Sequence, residues 1–197
     1  CYLFFAIKGY KINGHHFIEK SLKNGAVAII SEKFISYNKR IPQIIVPSSR
    51  RALSRLSCNF YGNPSQKINV IGITGTNGKT TTAFLIKSII ESEGFDTGLI
   101  GTICYQIGKK RLPARETTPE SVELQRFVAE MVASRMKFGV MEVSSHSLVQ
   151  HRVEDISFKT AVFTNISSEH LDYHETISDY VDAKTKLFEG LKSSSFA

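Results

Sequence analysis

The sequence predicts an α/β fold in two parts, a small N-terminal α/β domain followed by a parallel-sheet domain, on three observations. Short apolar runs of strand length alternate with segments whose apolar residues recur every three or four positions. A glycine-rich turn at Gly72–Thr82 joins one such run to one such helix. Turn-forming residues gather at Gly62-Asn63-Pro64-Ser65-Gln66-Lys67, where the charge balance also changes. The expected divisions are residues 1–62, a linker at 63–67, and 68–197.

In chain order, Leu3-Phe4-Phe5-Ala6-Ile7 reads as a buried strand closed by Gly9, and Phe17 to Leu22 as a short helix ending near Gly25. Ala26-Val27-Ala28-Ile29-Ile30 and Ile44-Ile45-Val46 read as further buried strands. Ser48 is suited to cap a helix through about Tyr61, with Leu53, Leu56 and Phe60 as its apolar face. Beyond the linker, strands are predicted near 68–73, 97–104, 137–143 and 160–164, and helices near 79–93, 119–134 and 176–191. Such alternation is the pattern of a parallel sheet covered by helices. The tail Ser193-Ser194-Ser195-Phe196-Ala197 has no evident structural role and reads as the place where the chain was cut.

At 197 residues the chain has ample length for a core, and no apolar run approaches a membrane span, so a soluble protein without a membrane partner is expected. The three cysteines, Cys1, Cys58 and Cys104, are odd in number and form no C-x-x-C pair. They argue against a disulfide framework or a zinc site and suit a reducing, cytoplasmic setting. No signal peptide is visible, although the chain starts at Cys1 rather than a methionine. The net charge of +7 is uneven: residues 1–67 carry 11 lysines and arginines against 2 acidic residues, and residues 68–197 carry 14 against 16. Arg50, Arg51 and Arg55 fall on a predicted helix without an aromatic stacking pattern. The excess therefore reads as a solvated face or an attraction toward an anionic small molecule, not a nucleic-acid surface.

The turn reads Gly72-Ile73-Thr74-Gly75-Thr76-Asn77-Gly78-Lys79-Thr80-Thr81-Thr82. A strand that passes through glycines into a helix start directs backbone N–H groups and the positive end of the helix dipole at one point, which suits an anion. Lys79 adds a mobile positive charge for terminal phosphates, and the Thr80 hydroxyl can ligate Mg²⁺, as in a P-loop. The generic spacing requires glycine where this chain has Ile73, so the loop is a variant.

Parallel sheets hold ligands at the carboxyl ends of their strands. The residues following the proposed strands are polar: Glu142, Ser144, Ser145 and His146, then Thr164, Asn165, Glu169, His170, Asp172 and His174. Glu142 ends the apolar run Phe138-Gly139-Val140-Met141 where P-loop proteins often hold a metal-directed carboxylate, and with Thr80 it suffices for one Mg²⁺. The alternative is a strand-end glutamate facing water. His170 and His174 sit four apart, but no glutamate follows the first, so the zinc pattern H-E-x-x-H is not met. One histidine near a second Mg²⁺, with the other structural, fits better. By themselves Thr117-Thr118-Pro119 read as ordinary capping, and Lys184 as a solvated helix lysine.

Several stretches in combination resemble the Mur ligases: Gly72–Thr82, Thr117-Thr118-Pro119, Met141-Glu142-Val143-Ser144-Ser145-His146 with Gln150-His151-Arg152, and Phe163-Thr164-Asn165 followed by His170-Leu171-Asp172-Tyr173-His174. Within that family the pattern is most similar to the MurE type, which adds the third residue of the peptidoglycan stem peptide. Leu3-Phe4-Phe5-Ala6-Ile7-Lys8-Gly9 and Asn13-Gly14 look like the family's uridine-nucleotide domain, so the resemblance covers essentially the whole chain.

The resemblance implies an ATP-dependent amide ligase of the cytoplasm, monomeric at full length, acting on UDP-N-acetylmuramoyl-L-alanyl-D-glutamate and diaminopimelate or lysine through an acyl phosphate. It assigns Thr74, Gly75, Thr76, Asn77, Gly78, Lys79 and Thr80 to ATP. It assigns Asn77, Thr117, Thr118, Ser144, Gln150 and Arg152 to the muramoyl dipeptide, with Tyr10, Lys11 and Ile12 near its nucleotide end. Thr80, Glu142 and His170 would serve Mg²⁺, and so would Lys184 if N-carboxylated, since it falls where the family carries an N-carboxylated lysine, an anionic metal or phosphate ligand. Lys79, Lys184 and His170 are the catalytic candidates. Glu169 stands where the family usually has aspartate. The resemblance also leads to the expectation of an aspartate-serine-arginine segment before Cys1 and an amino-acid-binding domain beyond Ala197, and hence of a 197-residue piece that is inactive alone and prone to associate through strand edges. The rival readings are another Mur ligase or a folylpolyglutamate synthetase, and a non-catalytic nucleotide-binding module or pseudoenzyme.

Overall fold

The computed structural model describes residues 1–9, 12–37, 41–169 and 171–197. Its contacts divide the chain into two compact units, Cys1–Leu53 and Ser54–Ala197.

In the first unit, β1 (Tyr2–Phe5), α1 (Ile18–Lys23), β2 (Ala26–Ser31) and β3 (Gln43–Ile45) form a small parallel sheet in the order β1-β2-β3. Ala6, Ile18, Leu22, Ala26 and Ile29 make its core. The outer strands are less buried than their apolar composition predicts: Leu3 is 47% exposed, and Ile44 and Ile45 are each 49% exposed. Both strands are sheet edges, and only the central β2 is buried along most of its length.

Helix α2 (Ser49–Phe60) starts where expected, with the Arg51 N–H donating to Ser48 Oγ at 3.3 Å. The division between the units falls inside it, after Leu53. Its predicted apolar face is overturned, because Phe60 is 83% exposed and Leu56 41%, while Ser54, Ser57 and Cys58 are buried. Small side chains on that face let polar groups approach. Ser54 Oγ accepts from the Asp155 N–H at 3.3 Å, and the neighbouring Arg55 pairs with the Asp155 carboxylate at 2.7 Å.

The second unit is built on a six-stranded sheet. Its strands are β4 (Asn69–Thr74), β5 (Thr97–Ile100), β6 (Cys104–Ile107), β7 (Lys110–Pro113), β8 (Phe138–Glu142) and β9 (Phe158–Phe163), in the order β7-β6-β5-β8-β4-β9. β5, β8, β4 and β9 are parallel, as the alternation predicts. Side chains alternate across the central strands. Ile71, Ile73, Leu99 and Val140 pack with Ala83 of α3 (Lys79–Ser92). On the other face Val70, Met141 and Phe158 pack with Leu124, Phe127 and Met131 of α4 (Ser121–Ala133) and Leu187 of α7 (Ile177–Glu189). Thr176 caps α7 reciprocally with Asp179.

Two expectations fail here. The strand predicted at 97–104 breaks at Gly101–Ile103 and reverses into the antiparallel pair β6-β7, which was not foreseen. The turn passes close to Glu142: a Cβ at position 101 would lie 2.3 Å from its Oε1, so glycine lets the chain close over that carboxylate where it stands. The tail also has a structural role. Phe196 pairs with β9, accepting from the Ala161 N–H at 2.9 Å and donating to Lys159 O at 3.0 Å.

Candidate active site

The carboxyl ends of β4, β5, β8 and β9 lie side by side. From β4 the chain enters the glycine loop at Gly75, whose φ of +144° and whose Cβ position, 1.9 Å from Thr164 Oγ1, both exclude a side chain. The end of β9 holds the loop in place. The Thr76 N–H donates to Asn165 O at 2.9 Å, the Asn77 N–H to Asn165 Oδ1 at 3.0 Å, and Thr164 Oγ1 to Asn77 O at 2.7 Å. Gly78 occupies the N-cap of α3 and brings no side chain to it, so the first-turn N–H groups of a 14-residue helix have no side-chain cap and suit an anion.

Two lysines meet at this loop. Lys79 Nζ donates to Gly75 O at 2.9 Å and to Thr76 O at 2.7 Å, and Lys184 Nζ reaches the same Gly75 oxygen at 2.8 Å. Lys184 is 2% exposed, with its ammonium 4.3 Å from the centre of the Tyr180 ring, so the solvated lysine suggested by composition is corrected. Tyr180 lies one helical turn earlier on α7, and its hydroxyl contacts Thr76 Oγ1 at 3.2 Å. Burial, and then repulsion by Lys79, push the Lys184 amine down to about 8, against the pull of Glu169. Lys79 is also lowered by burial, with Glu142 and Glu169 opposing the shift.

Glu142 is 1% exposed, which settles against a strand-end glutamate facing water. Its Oε2 accepts from Thr80 Oγ1 at 2.9 Å, and its Oε1 accepts from the Thr102 N–H at 2.9 Å. A buried carboxylate with an adjacent hydroxyl is a hard-oxygen donor pair that fits Mg²⁺, which completes its shell with phosphate and water. Among the described residues no group of three His, Cys, Asp or Glu side chains could hold a metal by itself.

Thr118, Ser144, Gln150 and Arg152 form one connected network beside Glu142, which Thr117 joins through Thr102. Thr118 Oγ1 donates to Glu142 O at 2.9 Å and accepts from the Ser144 N–H at 3.1 Å. Thr117 Oγ1 lies 3.1 Å from Thr102 Oγ1. Arg152 donates to Thr118 O at 2.8 Å and Gln150 Oε1 at 2.8 Å, and pairs with Glu116 and Glu120. Tyr105 fixes the approach to this corner, its hydroxyl donating to Glu116 O at 2.6 Å and accepting from the Glu116 N–H at 3.1 Å.

Tyr10, Lys11 and His170 lie outside the described residues. Ile12 belongs to the first unit and is 62% exposed. His174 ends α6 (Leu171–His174), is buried, and has Nε2 2.8 Å from Oγ of Ser145, the first residue of α5 (Ser145–Val149). Residue-by-residue reading overlooked Thr102 and Tyr180. Thr102 follows the end of β5 and was within reach of the strand-end rule, had that strand's end been located.

The profile of the Mur ligase middle domain matches residues 73–197, and that of the Mur ligase family, catalytic domain, matches residues 1–61. A curated relative from Caldanaerobacter subterraneus subsp. tengcongensis, named UDP-N-acetylmuramoyl-L-alanyl-D-glutamate--2,6-diaminopimelate ligase, is 46% identical over 98% of this chain and 40% of its own length. A relative of the same name from Clostridium perfringens is 50% identical over 94% of this chain and 38% of its own length. A solved structure of that name superposes with a TM-score of 0.81 at 31% identity, covering 96% of this chain and 39% of the other. The chain thus spans about two-fifths of the length of the proteins it matches. With both of its parts matched, the glycine loop and the strand-end residues included, the chain belongs to the Mur ligase family.

Proposed function

We propose that the full-length protein carrying this chain is an ATP-dependent ligase that joins 2,6-diaminopimelate to UDP-N-acetylmuramoyl-L-alanyl-D-glutamate. The carrying observation is the junction at Gly75, where ammonium groups from two helices share one carbonyl oxygen beside the N-terminus of α3. Adjacent positive charges at a helix start suit a polyphosphate, and the charge that spreads over a phosphoryl group in transfer. The relatives' names support diaminopimelate as the amino acid.

In this reading residues 1–62 carry the uridine nucleotide near Tyr10, Lys11 and Ile12, residues 63–67 link the domains, and residues 68–197 bind ATP through Thr74 to Thr80. Asn77, Thr117, Thr118, Ser144, Gln150 and Arg152 orient the dipeptide. Its glutamyl carboxylate attacks the γ-phosphorus, the bond to ADP breaks, and an acyl phosphate forms. The amine of diaminopimelate then attacks the acyl carbon, phosphate leaves, and the nitrogen gives up a proton as the amide forms. Lys79 offsets charge on the transferring group, and the Thr80 and Arg152 corners hold the reactants in line. Thr80 and Glu142, with His170, would hold Mg²⁺, which when bound neutralises phosphate oxygens. The lowered Lys184 amine has a larger neutral fraction near neutral pH than an ordinary lysine, and the neutral amine is the form that carboxylation requires. The protein is read as a cytoplasmic monomer; no helix among the described residues is long and apolar enough to cross a membrane.

An ADP-release assay on the full-length gene product tests this. Turnover is expected only when ATP, Mg²⁺, the UDP-linked dipeptide and diaminopimelate are all present, and poor turnover is expected with lysine as acceptor. ATP binding with no response to the dipeptide would instead support a non-catalytic nucleotide module.

A further inference from the structure

We infer that Thr102 is a positioning residue that couples the Glu142 carboxylate to the hydroxyl of Thr117, and thereby links cation binding to dipeptide binding. The inference rests on the ligase reading above. A buried carboxylate needs donors, and Thr102 supplies one to each oxygen: its N–H reaches Oε1 at 2.9 Å and its Oγ1 reaches Oε2 at 3.1 Å. Thr102 is itself exposed, so it lies on the solvent side of a carboxylate that is 1% exposed. Gly101 makes the approach possible, because any Cβ there would collide with the same carboxylate.

Proton counting fixes the polarity of the chain of hydroxyls. A threonine hydroxyl has one hydrogen, and a carboxylate can only accept. The Thr102 hydrogen therefore goes to Glu142, and the 3.1 Å contact between Thr102 and Thr117 is donated by Thr117. In that order Thr117 has only lone pairs left for a ligand. A cation that takes up the charge of Glu142 weakens the pull along the chain, and frees the Thr117 hydrogen for an acceptor on the dipeptide. Thr118 offers no parallel route, since its hydroxyl is directed to the main-chain oxygen of Glu142 at 2.9 Å.

The test is calorimetric titration of the UDP-linked dipeptide into the full-length gene product saturated with a non-hydrolysable ATP analogue, with Mg²⁺ and with excess EDTA. The ratio of the two affinities is the coupling. The expected ratio is roughly 5- to 50-fold in the wild type. It should fall to about 2-fold or less in Thr102→Val, which keeps side-chain shape and the backbone N–H, and recover in Thr102→Ser, which restores the hydroxyl. An unchanged ratio in Thr102→Val, or a wild-type ratio of one, would overturn the inference and leave the ligase reading standing. A wild-type protein that does not bind the dipeptide would overturn both.

Discussion

The two halves of the candidate site are held together by different forces. On one side, Lys79 and Lys184 crowd onto a single carbonyl oxygen, and each is shifted toward its neutral form. On the other, Glu142 is cradled by the hydroxyls of Thr80 and Thr102 and one backbone N–H. Like charges side by side persist only where the surrounding fold imposes them, so the lysine half, which Glu142 and Glu169 offset in part, favours a further anion. The carboxylate half is built of single hydrogen bonds, each of modest strength, and can be adjusted one at a time. Changes in the first half should therefore abolish function, while changes to the groups around the carboxylate, Glu142 and Thr80 themselves apart, should tune it.

Lys79→Ala is expected to have the largest effect, a fall in kcat of at least roughly 10²–10³-fold in steady-state kinetics of the full-length protein. Near-normal turnover in that variant would remove the distinction between the halves. Gly75→Val should act through the fold itself. A side chain at a left-handed position that collides with Thr164 is expected to cost on the order of 3 kcal/mol in denaturant unfolding, and to abolish nucleotide binding with it.

A smaller change is expected for Arg152→Lys, which keeps the charge but cannot reach Thr118 O and Gln150 together in the same geometry. Its KM for the dipeptide should rise about tenfold with little change in that for ATP. The finest effect is one of pH. Lys184 has a folded pKa near 8, below its ordinary 10.5, so between those values the unfolded chain binds more protons and stability rises with pH. Below about 8 both states are protonated and the penalty is fully present. In unfolding measurements from pH 7 to 10, the wild type should gain stability relative to Lys184→Met, and a flat difference would place the Lys184 amine in an ordinary environment.

The parallel strands of the second unit are legible in the sequence because helices cover both faces, which makes their apolar runs continuous. The same continuity hides the reversal at Gly101. The run from Thr97 to Cys104 has little polar punctuation, and the group the turn closes over is a carboxylate about forty residues further along. Thr102 was missed for that reason. Lys184 is a comparable case: it falls on the buried face of its helix with Tyr180, Ala183 and Leu187, but a lysine on such a face reads as solvated until Gly75, far away in sequence, is seen to accept from it. In the first unit the strands are legible but their burial is not, since composition does not say which strand is an edge. Helix α2 misleads in the opposite sense, exposing Phe60 and burying serines that accept from a backbone N–H or pack closely.

The most direct test of a phosphoryl-transfer site centred on Lys79 is a rapid-quench experiment on the full-length protein, with γ-labelled ATP and the UDP-linked dipeptide but no acceptor amino acid, and borohydride added to trap an acyl phosphate as the alcohol. The predicted result is reduced glutamyl product in the wild type and none in Lys79→Ala. ADP formation by the wild type that leaves the glutamyl carboxylate unmodified and untrapped, under conditions where a synthetic acyl phosphate is reduced, would contradict it.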